Sequence, residues 1–495
     1  MAFHEQAALF IPALDIRPMA FEIPPGLMVS VSGVRGRVGV ELTPEVVSRF
    51  AAAFGAYLRE ECERPRPRVI LARDARTSGP MFAAAATAAL QAVGCDVIDL
   101  GLVPTPTALF SIRHHGADGG IVVTASHNPV EWNALKLCSR SGMFLDAEEG
   151  PRMRAFVTER PLPWCGWDGV GDLTRDDGAV QRHIDAVLRI PYLDVPALRR
   201  RRFRVALDCI RGAGAVLLPQ LLEALGCDVV GINLEPDGRF HRPPEPVAEN
   251  LGELERLVRE SGADIGLATD PDGDRLALVS EQGRAIGEDF TLALAAKLVL
   301  RHRPGPVVTN LSTSRVVEDV AARASVPFHR APVGEINVAR RMEAVGAVIG
   351  GEGNGGVILP DVHLTRDAAV AAALVLQLLL ETGVALEEHV GHERRYVIVK
   401  EKLPRDAGPL EETYRVLEQE LDAPTVDRQD GLWLAWPEEG RWVHLRPSGT
   451  EPILRIIAEA PGEAAAQALV ERARAALARG AGRAGAAPAG AGSGG

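Results

Sequence analysis

Three stretches of this chain repeat one plan: a β-branched apolar strand, a small polar loop, an Ala- or Leu-rich helix and usually a second strand. That is the pattern of parallel α/β units. The first runs from Val69-Ile-Leu-Ala-Arg-Asp74 through a helix at about Pro80 to Val93 and on to Asp96-Val-Ile-Asp-Leu100. The second begins at Arg204-Val-Ala-Leu-Asp208, passes through a helix to Leu225 and ends at Asp228-Val-Val230. The third begins at Val307-Val-Thr-Asn310 and continues into a helix to Ala324. Open sheets of this kind bind ligands on loops at the carboxyl ends of their strands. After about Val390 the texture changes to the short strands Tyr396-Val-Ile-Val399, Leu432-Trp-Leu-Ala-Trp436, Trp442-Val-His-Leu445 and Ile453-Leu-Arg-Ile-Ile457, with an Ala-rich helix from about Gly462 to Ala478. The chain has 495 residues, so three domains are expected, with four inside the scatter.

Charge and hydropathy remove several classes of function. Lys and Arg number 54 against 66 Asp and Glu, a net charge of −12, which argues against a surface devoted to gripping a polyanion. No nucleic-acid partner is expected, and the basic run Arg199 to Arg204 reads as a solvated approach to the second unit's strand. The longest nearly apolar run, Ala368 to Leu380, is interrupted by Gln377 and falls short of the roughly 18 to 20 residues a bilayer span needs. No Lys or Arg precedes Arg17, so the basic region of a secretory signal is missing. A cytoplasmic protein without a membrane partner is expected, its six scattered cysteines reduced and mostly buried.

Five short motifs carry chemistry. The strand Gly120-Ile-Val-Val-Thr124 opens into Ala125-Ser126-His127-Asn128-Pro129, which puts Ser126 on a surface loop at a strand's end. A serine hydroxyl needs a base, a cation or a metal to act as a nucleophile, and His127 and Lys136 are nearby. Taken alone, a Ser-His pair in a turn more often caps backbone groups. Asp270-Pro-Asp272-Gly-Asp274-Arg275 sets three carboxylates at alternate positions between two strands. At an effective dielectric near 20 each close pair repels by roughly 4 kcal/mol, so a divalent cation is the natural partner. An EF-hand is excluded, because Arg275 stands where that loop needs Gly and both flanks read as strands.

Gly350-Gly-Glu352-Gly-Asn354-Gly-Gly356 offers two polar side chains that suit sugar hydroxyls, although a Gly-rich turn alone is common. Arg446-Pro-Ser448-Gly449-Thr450-Glu-Pro452, with Arg455 shortly after, converges a cation, two hydroxyls and backbone amides as an anion nest for phosphate. Ser32-Gly-Val-Arg35-Gly36 offers another donor near the start of the first unit.

Taken in chain order, from Ser32–Gly36 to Arg446–Pro452, the five motifs resemble the α-D-phosphohexomutase family over about residues 28 to 478. The resemblance implies four domains around a central cleft, three similar α/β domains and a smaller α+β C-terminal domain, each giving one loop to the site. The expected division is an N-terminal extension over 1–27, α/β domains over 28–165, 166–285 and 286–388, an α+β domain over 389–479 and a disordered Gly/Ala tail over 480–495. The resemblance makes Ser126 the phosphoserine and has Asp270, Asp272 and Asp274 hold one Mg²⁺ together with the seryl phosphate. Arg275 supports that loop, and Glu352 and Asn354 select the sugar. Arg446, Ser448, Gly449, Thr450 and Arg455 bind the phosphate not being transferred, while Arg35, His127 and Lys136 surround the transferring group.

Two positions depart from the family pattern: many members carry Ser where Asn354 stands and His where Gly356 stands, and Pro332-Val-Gly-Glu-Ile-Asn-Val338 lacks a basic residue that some members have. These forms resemble the archaeal-type branch of phosphoglucosamine mutases and phosphomannomutase/phosphoglucomutases. The implied activity is a Mg²⁺-dependent isomerase of hexose 6- and hexose 1-phosphate, working through a phosphoserine and a hexose 1,6-bisphosphate. Glucosamine phosphate is the favoured substrate, with mannose or glucose phosphate as the alternative. A phosphoserine-type sugar phosphatase and a non-catalytic sugar-phosphate regulator rank behind. The partner is a small hexose phosphate, and a homodimer is one option for assembly.

Overall fold

The computed structural model describes residues 21–62, 64–404, 410–447 and 453–484. Its strands form four sheets. The first orders Met28–Ser30, Gly33–Arg37, Trp132–Ser139, Gly119–Val123, Arg68–Arg73, Asp96–Leu102 and Leu173–Arg175, with its central pairs parallel. The second orders Leu276–Val279, Ile265–Thr269, Arg204–Asp208 and Asp228–Ile232. The third orders Phe328–Ala331, Val307–Asn310, Ile349–Glu352 and Gly356–Ile358. In both, the inner pairs are parallel and one edge strand is antiparallel. The fourth sheet is antiparallel throughout, from Val397–Pro404 to Thr425–Asp427, and packs against Leu410–Leu421 and Glu463–Ala484. Three α/β units and a smaller α+β unit are therefore the architecture.

The apolar run noted above is the helix Ala368–Thr382, buried through all but its last turn. A helix apolar all round has no face for water, and this one lies inside one continuous core shared by the second and third units. The Asp367 carboxylate caps its start by accepting from the amides of Ala369 and Val370. A shared core fixes the loops of both units relative to each other. No helix among the described residues is long and apolar enough to cross a membrane.

Three expectations change. Residues 166–175 were assigned to the second unit, but Leu173–Arg175 pairs with Asp96–Leu102 and completes the first sheet, covering an edge that would otherwise expose unpaired backbone groups. The C-terminal helix continues to Ala484, five residues into the segment read as tail, since alanine favours helix wherever a helix is already nucleated; residues 485–495 lie outside the described residues. The Gly-rich segment after Val348 is a hairpin, Ile349–Glu352 paired with Gly356–Ile358, rather than an open loop.

Candidate active site

Ser126 is 3% exposed, not on the surface as its loop position suggested, because the loop folds back under the neighbouring units. Its φ is 48°, the left-handed region that a non-glycine residue adopts only when held there. The Ser126 hydroxyl donates to Asp270 Oδ2 at 2.9 Å, and His127 Nδ1 lies 3.3 Å away. The Arg275 charge first, then burial and Arg35, push the His127 imidazole down to about 2, so it is neutral.

The three aspartates are fully buried, and their ligand oxygens lie within 4.8 Å of one another. Asp270 has both oxygens committed to the protein, Oδ2 to Ser126, while Asp272 and Asp274 have one each. Asp270 Oδ1 accepts from the amides of Asp274 and Arg275, Asp272 Oδ2 accepts from Thr105 Oγ1 and Lys136 Nζ, both at 2.7 Å, and Asp274 Oδ2 accepts from Arg366 Nη2 at 2.6 Å. The other oxygens of Asp272 and Asp274 are buried and have no hydrogen-bond partner, although Arg275 Nε stands 3.8 Å from that of Asp274. A buried carboxylate oxygen left unpaired costs more than the about 1–3 kcal/mol of a neutral group, so this is a set of hard oxygen donors that fits a divalent cation. Burial, together with the Asp274 and Asp272 charges, raises Asp270 well above the usual carboxylate range. Against burial, Lys136 holds Asp272 below that range, and Asp272 and Asp274 in turn hold Lys136 above its ordinary value.

A cleft of about 930 Å³ opens in front of these groups, lined by Arg35, His127, Glu352, Asn354, Arg446 and Arg455 among others. All four units contribute to it. Arg35 donates to the Asn128 side chain, and Arg275 donates to Glu245 at 3.1 Å. Arg446 pairs with Asp430 at 2.8 Å; that carboxylate also accepts from the amide of Val333, joining the fourth unit to the third. Ser448, Gly449 and Thr450 lie outside the described residues.

Glu352 is more committed than a sugar-contacting residue was expected to be. Oε1 accepts from Asn310 Nδ2 at 2.8 Å and the Gly334 amide at 3.0 Å; Oε2 accepts from Arg366 Nη1 at 2.7 Å and Asn354 Nδ2 at 3.4 Å. With all four lone pairs facing donors, a sugar hydroxyl reaches this carboxylate by displacing the weakest, Asn354.

Several site residues carry no local signal in the sequence. Arg366 binds Asp274, Glu352 and, at 3.0 Å, Glu335, so one guanidinium ties the acidic loop to the Gly-rich hairpin. A Cβ at position 356 would fall 2.2 Å from Arg366 Cδ, which accounts for glycine where many members have histidine. Lys402, Arg455 and Arg446 stand in register across three antiparallel strands, and all three line the cleft. Three cations in one row make this wall of the cleft positively charged.

Models of the phosphoglucomutase/phosphomannomutase family match the chain in order: α/β/α domain I over residues 27–161, domain II over 181–283, domain III over 287–396 and the C-terminal domain over 397–476. A phosphoglucomutase/phosphomannomutase of Thermococcus kodakarensis is 38% identical, covering 90% of this chain and 97% of that protein. A probable phosphoglucosamine mutase of Methanopyrus kandleri is 37% identical, covering 90% and 96%. The crystal structure of a phosphoglucomutase/phosphomannomutase family protein from Burkholderia thailandensis superposes with a TM-score of 0.79 at 26% identity, covering 92% of this chain and 99% of that one. Fold and relatives define a phosphohexomutase, an isomerase that transfers a phosphoryl group within a sugar. The chain belongs to the phosphoglucomutase/phosphomannomutase family.

Proposed function

We propose that this chain interconverts hexose 6-phosphate and hexose 1-phosphate, with Ser126 as the group that carries the phosphoryl. The observation that supports it most is the Ser126 hydroxyl donating to Asp270 at 2.9 Å beside two buried carboxylate oxygens that lack hydrogen-bond partners. Asp270, Asp272 and Asp274 would hold Mg²⁺ there, which supplies charge neutralisation for the transferring group.

The protein's own part is positioning. Phosphoryl transfer passes through a loose, charge-dispersed transition state, so fixed cations and donors do most of the work. Phospho-Ser126 gives its group to a sugar oxygen: the seryl P–O bond breaks, the sugar P–O bond forms, the sugar's hydroxyl proton leaves to a base and the departing Ser126 Oγ takes up a proton. The 1,6-bisphosphate turns over in the cleft and returns its other phosphoryl to Ser126 Oγ. His127, held neutral 3.3 Å from that oxygen, accepts the seryl proton. A base held this low is weak until an anionic phosphate enters between Arg35, Arg275 and His127 and raises it. Arg446, Arg455 and Lys402 hold the non-transferring phosphate, and Arg275 and Lys136 brace the acidic loop.

The hexose is tested with glucosamine, mannose, glucose and N-acetylglucosamine phosphates, each with Mg²⁺ and the matching 1,6-bisphosphate. Glucosamine phosphate is expected to turn over fastest, without release of free phosphate. Free phosphate appearing in step with substrate loss would make the chain a phosphatase, and no conversion of any sugar would sink the mutase reading.

A further inference from the structure

Beneath the Ser126 loop lies a fully buried guanidinium that belongs to none of the five motifs. Each of the five N–H donors of Arg76 is used. Nε donates to Asp74 Oδ2 at 3.2 Å, Nη1 to the carbonyls of Pro129 and Trp132 at 2.7 and 2.9 Å, and Nη2 to those of Ser126 and Asn128 at 2.7 and 2.6 Å. One planar fork therefore gathers four carbonyls of the segment from Ser126 to Trp132. The other side of Ser126 is held by the same pair: Thr124 Oγ1 donates to Asp74 Oδ2 at 2.6 Å and accepts from the Ser126 amide at 3.0 Å. Both backbone polar groups of Ser126, the residue at φ 48°, thus trace to Asp74 and Arg76.

The second unit closes over this arrangement. The Phe240 ring lies 5.0 Å from the Arg76 guanidinium carbon, and a Cβ at Gly238 would fall 2.2 Å from the Ala75 carbonyl oxygen. The fork therefore sits where the first unit, which carries the serine, meets the second unit, which carries the aspartates.

We propose that Arg76, oriented by Asp74, is a positioning residue that holds the Ser126 backbone in its left-handed conformation and so aims Oγ at the acidic loop. The proposal rests on Ser126 being the phosphoryl carrier. Lysine keeps the charge but has three donors and no planar fork, so Arg76→Lys cannot satisfy four carbonyls and Asp74 together. A displacement of about 1 Å at a reacting atom costs on the order of 10²-fold.

The test uses the full chain with Mg²⁺ and whichever hexose phosphate the wild type isomerises. Arg76→Lys is expected to lose on the order of 10² in kcat with KM within about twofold, and hydrogen exchange over residues 124–132 is expected to quicken while the rest of the chain keeps its protection. A protein that had merely lost stability would show faster exchange everywhere. Should Arg76→Lys fail to fold, Thr124→Val, which removes the Ser126 amide's acceptor at nearly constant volume, is expected to show the same split to a smaller degree. A folded variant with wild-type kcat, or with unchanged exchange in this loop, overturns the proposal. If the wild type isomerises nothing, the exchange measurement alone decides whether the fork holds the loop, separately from the activity assignment.

Discussion

Among the described residues two buried clusters each bring three potential ligand atoms within 4.8 Å, Asp270 with Asp272 and Asp274, and His183 with His363 and Asp367. Proximity makes them look alike, and hydrogen-bond accounting separates them. In the second cluster Asp367 Oδ2 accepts from Nε2 of both imidazoles, at 2.7 and 2.8 Å, while Oδ1 caps a helix and His183 Nδ1 meets Thr107 Oγ1 at 2.9 Å. Its one orphan, His363 Nδ1, is not the nitrogen that faces Asp367. Protons already owned by the protein satisfy the carboxylate, and the cluster fastens the first, second and third units together. In the aspartate cluster the protein's donors cover only part of the set: three carboxylates lie together, and one oxygen each of Asp272 and Asp274 is buried without a hydrogen-bond donor. The saturated cluster is a lock, and the unsaturated one has the open oxygen donors that a cation would need.

The comparison is broken most severely by exchanging the clusters' fates. Asp272→Asn is expected to lose on the order of 10³ in Mg²⁺-dependent turnover, the scale of a catalytic dication's contribution; a steady-state Mg²⁺ titration measures it. Asp367→Asn is expected to lower stability by about 3–5 kcal/mol, as for other broken buried ion pairs, seen in the urea midpoint. The Mg²⁺ half-saturation of the folded fraction should stay unchanged. Were Asp367→Asn to shift the metal response, the histidine cluster would be no mere lock.

A smaller effect probes how the acidic set is braced. Arg366→Lys retains a charge but cannot bridge Asp274, Glu352 and Glu335 at once, and a rise of about 10- to 100-fold in Mg²⁺ half-saturation is expected, as for other outer-shell partners of metal ligands.

The smallest effect concerns pH without metal. Asp270 is held above the ordinary carboxylate value, so its proton favours the fold. The resulting stability is fully present below about pH 4, the unfolded value, and is lost as pH rises through the folded one. In a chelator, wild-type Tm should therefore fall from pH 4 to 8 relative to Asp270→Asn, and Mg²⁺ should restore the wild type alone. Parallel Tm curves would remove the repulsion from the account.

The two clusters also differ in how readable they were. Asp270, Asp272 and Asp274 share one turn, so their repulsion is written in five consecutive residues. His363 and Asp367 lie four residues apart in the third unit, but His183 comes from the second, and only the docking of the two units completes the cluster. The α/β units were legible because alternating strands and helices follow local periodicity. The strand Leu173–Arg175 was not, because three exposed residues gain their meaning from an edge elsewhere. Arg366 and Arg76 were missed for the same reason: their partners are a carboxylate set and a row of carbonyls far along the chain. Ser126 was found by its motif, but its burial depends on how neighbouring units close over the loop.

On the proposed mechanism the acidic set beside Ser126 serves a phosphoryl group carried by that serine. The most direct measurement is incubation of the protein with Mg²⁺ and a hexose 1,6-bisphosphate carrying labelled phosphoryl groups. Peptide mass spectrometry then locates the label, and a chase with unlabelled hexose 6-phosphate follows it. Label is expected on Ser126 and is expected to pass into sugar without appearing as inorganic phosphate. Label on any other residue, or its loss to water at the rate of the chase, would contradict that mechanism.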